Sequence, residues 1–462
     1  MNELLNLSAS GMARAIREKE ISSAELVQAH LQRIEAVNPK LNAIVQLPAD
    51  RVMAEARAAD AAVARGEITG PLHGVPVTFK DAIETAGIVS TGGTLGRRDF
   101  VPHQDAVIVK RLRAAGAIVL GKTNCPEFGW AWESDNLIYG RTNNPYDLSL
   151  SPGGSSGGES ALISSGGSPL GFGSDAGGSV RFPANCCGLA SIKPTSGRIP
   201  RTGHFPGPGG TLDTLWQIGP LARSVEDLEL ALKIVAGVDE HDPAIVPVPL
   251  GETATVNVKK LRVAFHTYNG IATPETEVAE AVRKAVKALS DAGIKVEEAL
   301  PPGTDETFEI YRGLFCADGG AGLRALIELA GTLEIHPLLQ QALDIQQQHG
   351  ISMADYGALV ARWDAFRSRM LGFMENYDAI LSPVCSFAGM VHGSTYKRLP
   401  SFSYTMTHNL TGWPAAVVRA ANTPEGLPIG VQIAARPWHE HVALAIARVL
   451  EDTLGGWQPP RI

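Results

Sequence analysis

Residues 151–183 read SPGGSSGGESALISSGGSPLGFGSDAGGSVRFP. Between Ser151 and Val180 stand ten glycines and nine serines in thirty residues, a density that usually marks a flexible tether. A tether carries little else, because apolar side chains drive packing. This stretch interleaves ALI at 161–163, PLGF at 169–172 and VRFP at 180–183. Those side chains need a core, so the spacing predicts a packed, tightly turning backbone. Glycine serves where backbone takes positive φ or approaches a ligand closely. Gly-Gly-Ser followed by ordered residues lines up N–H groups, an arrangement suited to receiving a negative oxygen.

The flanking sequence alternates strands and helices. HGVPVTFKDA, with Val75, Val77 and Phe79 at alternate positions, reads as a strand ending at Lys80. DAVIVKRLRAAG reads as a helix that Gly116 terminates, and AIVLG as a short buried strand. The first 65 residues read as helical, with Ser22 and Glu25 forming a capping box. Ser224 and Asp227 suggest a second box. Further on come a strand at 261–266, a helix over 274–292, a strand around IKVEEA and a mostly helical block over 304–377. AILSPV, AAVVRA and IGVQIAA return to strands, closed by a helix over 439–454. The alternation predicts an α/β sheet covered on both faces, with the late strands rejoining one large domain that carries a helical insertion.

Bulk composition narrows the function. The 462 residues are 44% hydrophobic and 19% charged, with a formal net charge of −8. That balance, with no basic run, argues against nucleic acid and against an anionic membrane surface as partner. Five cysteines are odd in number and fit no zinc spacing, which suits a reducing compartment; neither metal nor cofactor is expected. The first twenty residues lack a secretion signal's apolar core, and no stretch approaches about 18 apolar residues, so the expectation is a cytoplasmic protein.

Three motif matches fail on context. GAIVLGKT at 116–123 fits the phosphate-loop pattern, but its intervening residues form a strand and Pro126 disfavours the helix that must follow. Ser155 and Ser156 both sit in Gly-x-Ser-x-Gly frames, yet NPYDLSLSP before them contains two prolines and no strand. The twelve histidines include no His-Glu-x-x-His, and HEH at 439–441 falls at a helix start.

The 151–183 stretch resembles the signature of the amidase signature family. GVPVTFKDAI resembles the strand that carries the family's catalytic lysine, and GKTNCPEFG its Lys-Thr-Asn-x-x-Glu-Phe segment. LDTLWQIGPLARSVEDL and NLTGWPAAV with LPIGVQIAARP resemble downstream blocks, so the likeness runs from about residue 20 to 455. It implies a single α/β/α domain over 1–462 around a mixed twisted sheet of about a dozen strands, with the signature core at about 70–225. It also implies a Ser-Ser-Lys triad: Ser179 as nucleophile, Ser155 as bridging serine and Lys80 as base. The chemistry is sound on its own terms. A serine hydroxyl attacks only as a base takes its proton, and burial lowers the pKa of a lysine enough for that task. The resemblance further implies a cis peptide between Gly154 and Ser155, and an oxyanion hole from the N–H groups of Ala176, Gly177, Gly178 and Ser179. Asp175 and Arg181 flank this turn, as brace or as a local surface ion pair; Ser156 and Thr78 are expected behind the triad.

The resemblance implies hydrolysis of linear amides through an acyl-enzyme. Phe182 stands where the tRNA-amidotransferase branch commonly shows Gln, so the motifs are nearer the fatty-acid-amide-hydrolase-like and bacterial amidase branch. The expected substrate is a small apolar or aryl acyl amide, with esters and carbamates (urethane cleavage) as extensions. The alternative is the glutamine amidohydrolase subunit of a tRNA-dependent amidotransferase. A binding protein without activity is disfavoured by intact Lys80, Ser155 and Ser179. The block 304–377 and the segment FSYTMTHNLTGW are expected to line the pocket. No feature selects monomer or homodimer.

Overall fold

The computed structural model describes residues 3–462. Its strands are β1 (Ile44–Gln46), β2 (Pro76–Lys80), β3 (Ile118–Thr123), β4 (Leu150–Ser151), β5 (Leu170–Asp175), β6 (Ala190–Lys193) and β7 (Gln217–Ala222). Beyond them run β8 (Arg262–Phe265), β9 (Lys295–Glu298), β10 (Ala379–Pro383), β11 (Met390–Val391), β12 (Ala415–Asn422) and β13 (Pro428–Ala435). Eleven of them form one mixed sheet in the order β1-β3-β2-β5-β7-β6-β12-β13-β10-β8-β9. β3, β2 and β5 are parallel neighbours, as are β10, β8 and β9; the antiparallel centre joins the two groups. β4 and β11 pair separately.

Helices cover both faces. On one side Ala9–Arg17, Val107–Ala114, Val225–Val235, Thr276–Asp291 and Glu440–Leu454 contribute to one large apolar cluster with Val77, Phe79 and Phe172 of the sheet. On the other, Thr307–Cys316, Met353–Phe373 and Ser403–Leu410 pack with Ile380 and Val417. Side chains alternate along a strand. In β2, Val77 and Phe79 therefore enter the first cluster, while Thr78 and Lys80 face the opposite side, where the helix Gly157–Ser164 lies.

Residues 151–183 are all buried except the half-buried Ala176. They fold as a turn, the helix Gly157–Ser164, β5, a second turn and the helix Arg181–Cys186. The apolar residues among the glycines thus pack as expected. The segment 116–123 is a turn followed by β3, whose six residues are all buried, so no phosphate loop forms. Gly116 ends the preceding helix at φ +89°, where a Cβ would meet the His73 backbone at 2.7 Å.

Ser22 and Glu25 form the reciprocal capping box. At the second expected box only half forms. Ser224 Oγ accepts from Asp227 N–H, but the Asp227 carboxylate accepts from the N–H groups of Ala9 and Ser10 and from Ser10 Oγ, each at 2.8 Å. These donors at the N-terminus of another helix compete for that carboxylate and win. The short strand β1, inside the region read as helical, pairs with β3.

Candidate active site

β2 delivers Lys80 into the interior, where its side chain is 1% exposed. Lys80 Nζ lies 2.6 Å from Ser155 Oγ and 3.1 Å from Ser174 Oγ. Burial pushes its pKa down to about 8, against the opposing pull of Cys125, Asp175 and Glu159. About a tenth of Lys80 is therefore neutral at pH 7, and more as pH rises, the form that accepts a proton.

Ser155 follows a cis peptide bond after Gly154. The backbone here runs against Glu133, whose O and N would lie 2.4 and 2.5 Å from a Cβ on Gly154, so only glycine fits. Glu133 is itself fixed: its carboxylate accepts from the N–H groups of Gly393 and Thr395 and from Thr395 Oγ1. Ser134 Oγ accepts from Gly157 N–H at 2.9 Å, anchoring the start of the helix that follows. Ser156 N–H donates to the Ser179 carbonyl at 3.2 Å, which ties the two serine-bearing turns together.

The second turn is built on Asp175. Its carboxylate accepts from the N–H groups of Gly178, Val180 and Arg181, from Arg181 Nε and Nη2, and from Asn409 Nδ2. Burial alone would raise this carboxyl, but the charge and hydrogen bonds of Arg181, with help from Asn409, hold it well below the usual carboxylate range. Both side chains are fully buried, so the pair is a brace and not a surface ion pair. Gly178, expected among the oxyanion donors, turns its N–H to Asp175 Oδ1 at 2.8 Å and is thereby removed from the free set. Among the described residues none accepts from the N–H groups of Ala176, Gly177 or Ser179.

These turns open on a cavity of about 350 Å3. Ser155, Ser174 and Ser179 are on its wall, together with Ala176 and Gly177, while Lys80 is behind them. The rest is largely aromatic: Phe128, Trp130, Trp132, Trp216, Tyr311 and Phe315. Trp132 Nε1 donates to the Gly177 carbonyl and the Tyr311 hydroxyl to the Ala176 carbonyl, so the pocket walls also hold the turn.

The helical block over 304–377 lines this cavity as expected, through Tyr311, Phe315, Asp318, Gly322, Leu323, Leu326 and Gln346. The segment FSYTMTHNLTGW does not reach it. Most of it is the helix Ser403–Leu410, which packs behind the Asp175 turn; Thr405 and Asn409 bond to Gly177, Asp175 and Arg181 from the far side. Thr78 donates to Glu159 Oε2 at 2.7 Å, and its hydroxyl bonds to none of Lys80, Ser155 and Ser179. Glu159, buried one helical turn past Ser155, was not singled out by sequence; burial raises its pKa to about 8. Ser174 and His204 were missed as well. His204 Nε2 lies 2.8 Å from Ser174 Oγ, and both line the cavity.

Among the described residues no group of three or more His, Cys, Asp and Glu side chains could hold a metal, and all five cysteines are unpaired and buried. Among the described residues no helix is long and apolar enough to cross a membrane.

On a mixed eleven-stranded sheet flanked by helices, buried serines line one aromatic cavity with a buried lysine behind them, an arrangement suited to nucleophilic attack by a serine; with the matches that follow it places the protein among the hydrolases of carbon–nitrogen amide bonds. Known proteins point the same way. The family described as Amidase matches residues 25–444. An acylamidase of Rhodococcus erythropolis is 35% identical over 96% of this chain and 95% of its own. A component of the glutamyl-tRNA(Gln) amidotransferase of Roseiflexus sp. (strain RS-1) is 34% identical over 96% of each chain. The solved structure of a 6-aminohexanoate cyclic dimer hydrolase with its substrate superimposes at TM-score 0.88, with 28% identity and 99% of both chains covered. The chain belongs to the amidase family.

Proposed function

We propose that the protein is a self-sufficient amidase that cleaves apolar or aryl acyl amides through an acyl-enzyme on Ser179. The observation that carries this reading is Lys80 Nζ at 2.6 Å from Ser155 Oγ, behind a cavity wall that holds Ser155 and Ser179.

In this reading Ser179 Oγ attacks the amide carbonyl. Its proton passes to Ser155 Oγ as the Ser155 proton passes to Lys80 Nζ. The N–H groups of Ala176, Gly177 and Ser179 receive the negative oxygen; losing one such donor typically costs roughly 100- to 1000-fold in rate. The tetrahedral species collapses as the carbon–nitrogen bond breaks, and the proton returns from Lys80 through Ser155 to the departing amine. Water then repeats the sequence on the acyl ester, releasing the acid and regenerating Ser179. The aromatic lining favours apolar and aryl groups. Esters and carbamates present the same carbonyl to Ser179 and extend the range.

Treatment with a fluorophosphonate followed by mass spectrometric mapping tests this directly: the adduct falls on Ser179, and an adduct on another serine refutes the assignment. The 34% identity to the amidotransferase component favours a second reading, a glutamine-hydrolysing part of a larger assembly. An anilide assay on the isolated chain separates the two, because unaided turnover excludes a chain that depends on partners.

A further inference from the structure

His204 lies in the Gly-Pro-rich loop GHFPGPGG at 203–210, in a position the triad does not require. Its loop is stitched to the segment that leaves Lys80. Ile83 bridges His204, Glu84 N–H donates to the Gly203 carbonyl at 2.8 Å, and Phe205 N–H donates to the Ala82 carbonyl at 2.7 Å. The imidazole also packs against Trp216, ring centroids 4.8 Å apart.

The ring's hydrogen bonds have a fixed direction. Nδ1 lies 2.9 Å from the Pro206 carbonyl, which only accepts, so Nδ1 carries a proton. Burial first and the Lys80 charge second hold His204 well below the ordinary histidine pKa, so it is neutral and Nε2 is a bare acceptor. The partner of Nε2, at 2.8 Å, is Ser174 Oγ, which must therefore donate its one proton to His204. Ser174 Oγ is also 3.1 Å from Lys80 Nζ, and with its proton committed it can only accept there.

We propose that His204 is a positioning residue that orients the catalytic base: by taking the Ser174 proton it forces Lys80 to donate to Ser174 and leaves the lysine lone pair for Ser155. Lys80 Nζ has two hydroxyl neighbours, and either could offer it a proton. Only the Ser155 proton lies on a path to the nucleophile, so a Ser174 hydroxyl free to donate would divert the base. The other charged and titratable groups acting on Lys80 and His204 are Cys125, Asp175, Glu159, Lys122 and Arg201; none bonds to Ser174.

This inference rests on Lys80 being the base. The test follows the rate of fluorophosphonate labelling at Ser179 against pH, in the full chain. His204→Phe keeps a ring beside Trp216 and removes the acceptor. Its plateau rate is expected to fall about tenfold. Its acid limb is expected to move to lower pH, because a Ser174 proton now bonds only to the neutral amine and favours that form. A merely structural loosening would admit water and move the limb up, toward the free lysine value. His204→Gln, whose amide oxygen can accept from Ser174, restores both readouts. In a Ser174→Ala background His204→Phe adds no further change. A limb that stays in place or moves up, or an effect that persists without Ser174, overturns the proposal. Normal labelling in Lys80→Ala would instead overturn the assignment of the base, and the two failures are thereby told apart.

Discussion

Arg181 holds both carboxylate oxygens of Asp175 at 2.9 Å, and neither side chain reaches solvent. The same carboxylate collects three backbone N–H groups of the turn 178–181, so one ion pair sets the path of the chain beside Ser179. Asp175→Asn leaves a fully buried guanidinium without a counter-charge and places an amide donor among donors. Removing one partner of such a pair costs about 3–5 kcal/mol. Urea unfolding at pH 7 is expected to show that loss. The folded-state pKa of Asp175 lies below its unfolded value, so its contribution is full above about pH 4 and fades as pH falls below that. The gap between wild type and variant is therefore expected to narrow in acid; a constant gap from pH 7 to pH 3 refutes the account.

Lys80 shares the sign of that linkage but enters as a penalty, because burial and not pairing shifts it. Burial lowers its pKa to about 8, so between about pH 8 and the unfolded value near 10.4 the unfolded chain binds more protons than the folded one. Stability from this site thus rises with pH across that window, and below about pH 8 the full penalty of a buried ammonium applies. Lys80→Met is expected to abolish amide turnover and yet to stabilise the fold at pH 7, with the gain fading toward pH 10.5. The difference between the two proteins isolates Lys80 from Lys122, also buried and shifted to about 8. In the wild type, kcat/KM is expected to climb about tenfold per pH unit on the acid side and to level off above about pH 8. Turnover that persists in Lys80→Met would remove lysine from the mechanism.

Gly154→Ala probes the close approach to Glu133. A Cβ there would sit 2.4–2.6 Å from three backbone atoms of Glu133, and backbone cannot swing aside as a flexible side chain does. Glu133 is moreover anchored to Gly393 and Thr395. The substitution is expected to displace Ser155 from Lys80, cutting kcat by at least about 100-fold while KM moves little. Near-normal kcat in a folded Gly154→Ala protein would mean that the turn adjusts and that the glycine has another purpose.

Much of this site is legible in sequence because its geometry is local. A strand ending at Lys80 follows from the alternation of Val75, Val77 and Phe79, and the packed character of 151–183 follows from apolar residues set among its glycines. Ser174 stays hidden because one hydroxyl among nine serines carries no mark of its partner. His204 is a lone histidine in a loop, and its bond to Ser174 is set by tertiary pairing of that loop with the chain after Lys80. Asn409 illustrates the same limit: it bonds to Asp175 from 234 residues away, so a segment expected to line the pocket braces the turn from behind. Asp227 looks like a local cap and serves a helix whose bonded residues lie 217 and 218 positions away.

The cavity itself supplies a test of substrate class. Leu326 lies on its wall beside an aromatic lining that includes Trp130 and Phe315, within about 350 Å3 of space. It belongs to the helix Ala321–Leu329 and is half-buried, so a larger side chain can project into the cavity without distorting the sheet. Leu326→Trp is therefore expected to leave the fold and the Lys80–Ser155 contact intact while removing room for an aryl group. Pocket contacts of this kind discriminate by about 1–3 kcal/mol. Bulky anilides and aryl acyl amides should lose roughly 10- to 100-fold in kcat/KM relative to acetamide, mostly through KM. Fluorophosphonates with small alkyl groups should label Ser179 at the wild-type rate. An equal loss for acetamide and the aryl amides would mean a general disturbance of the site, and wild-type rates on both would show that the aromatic wall does not select the acyl group.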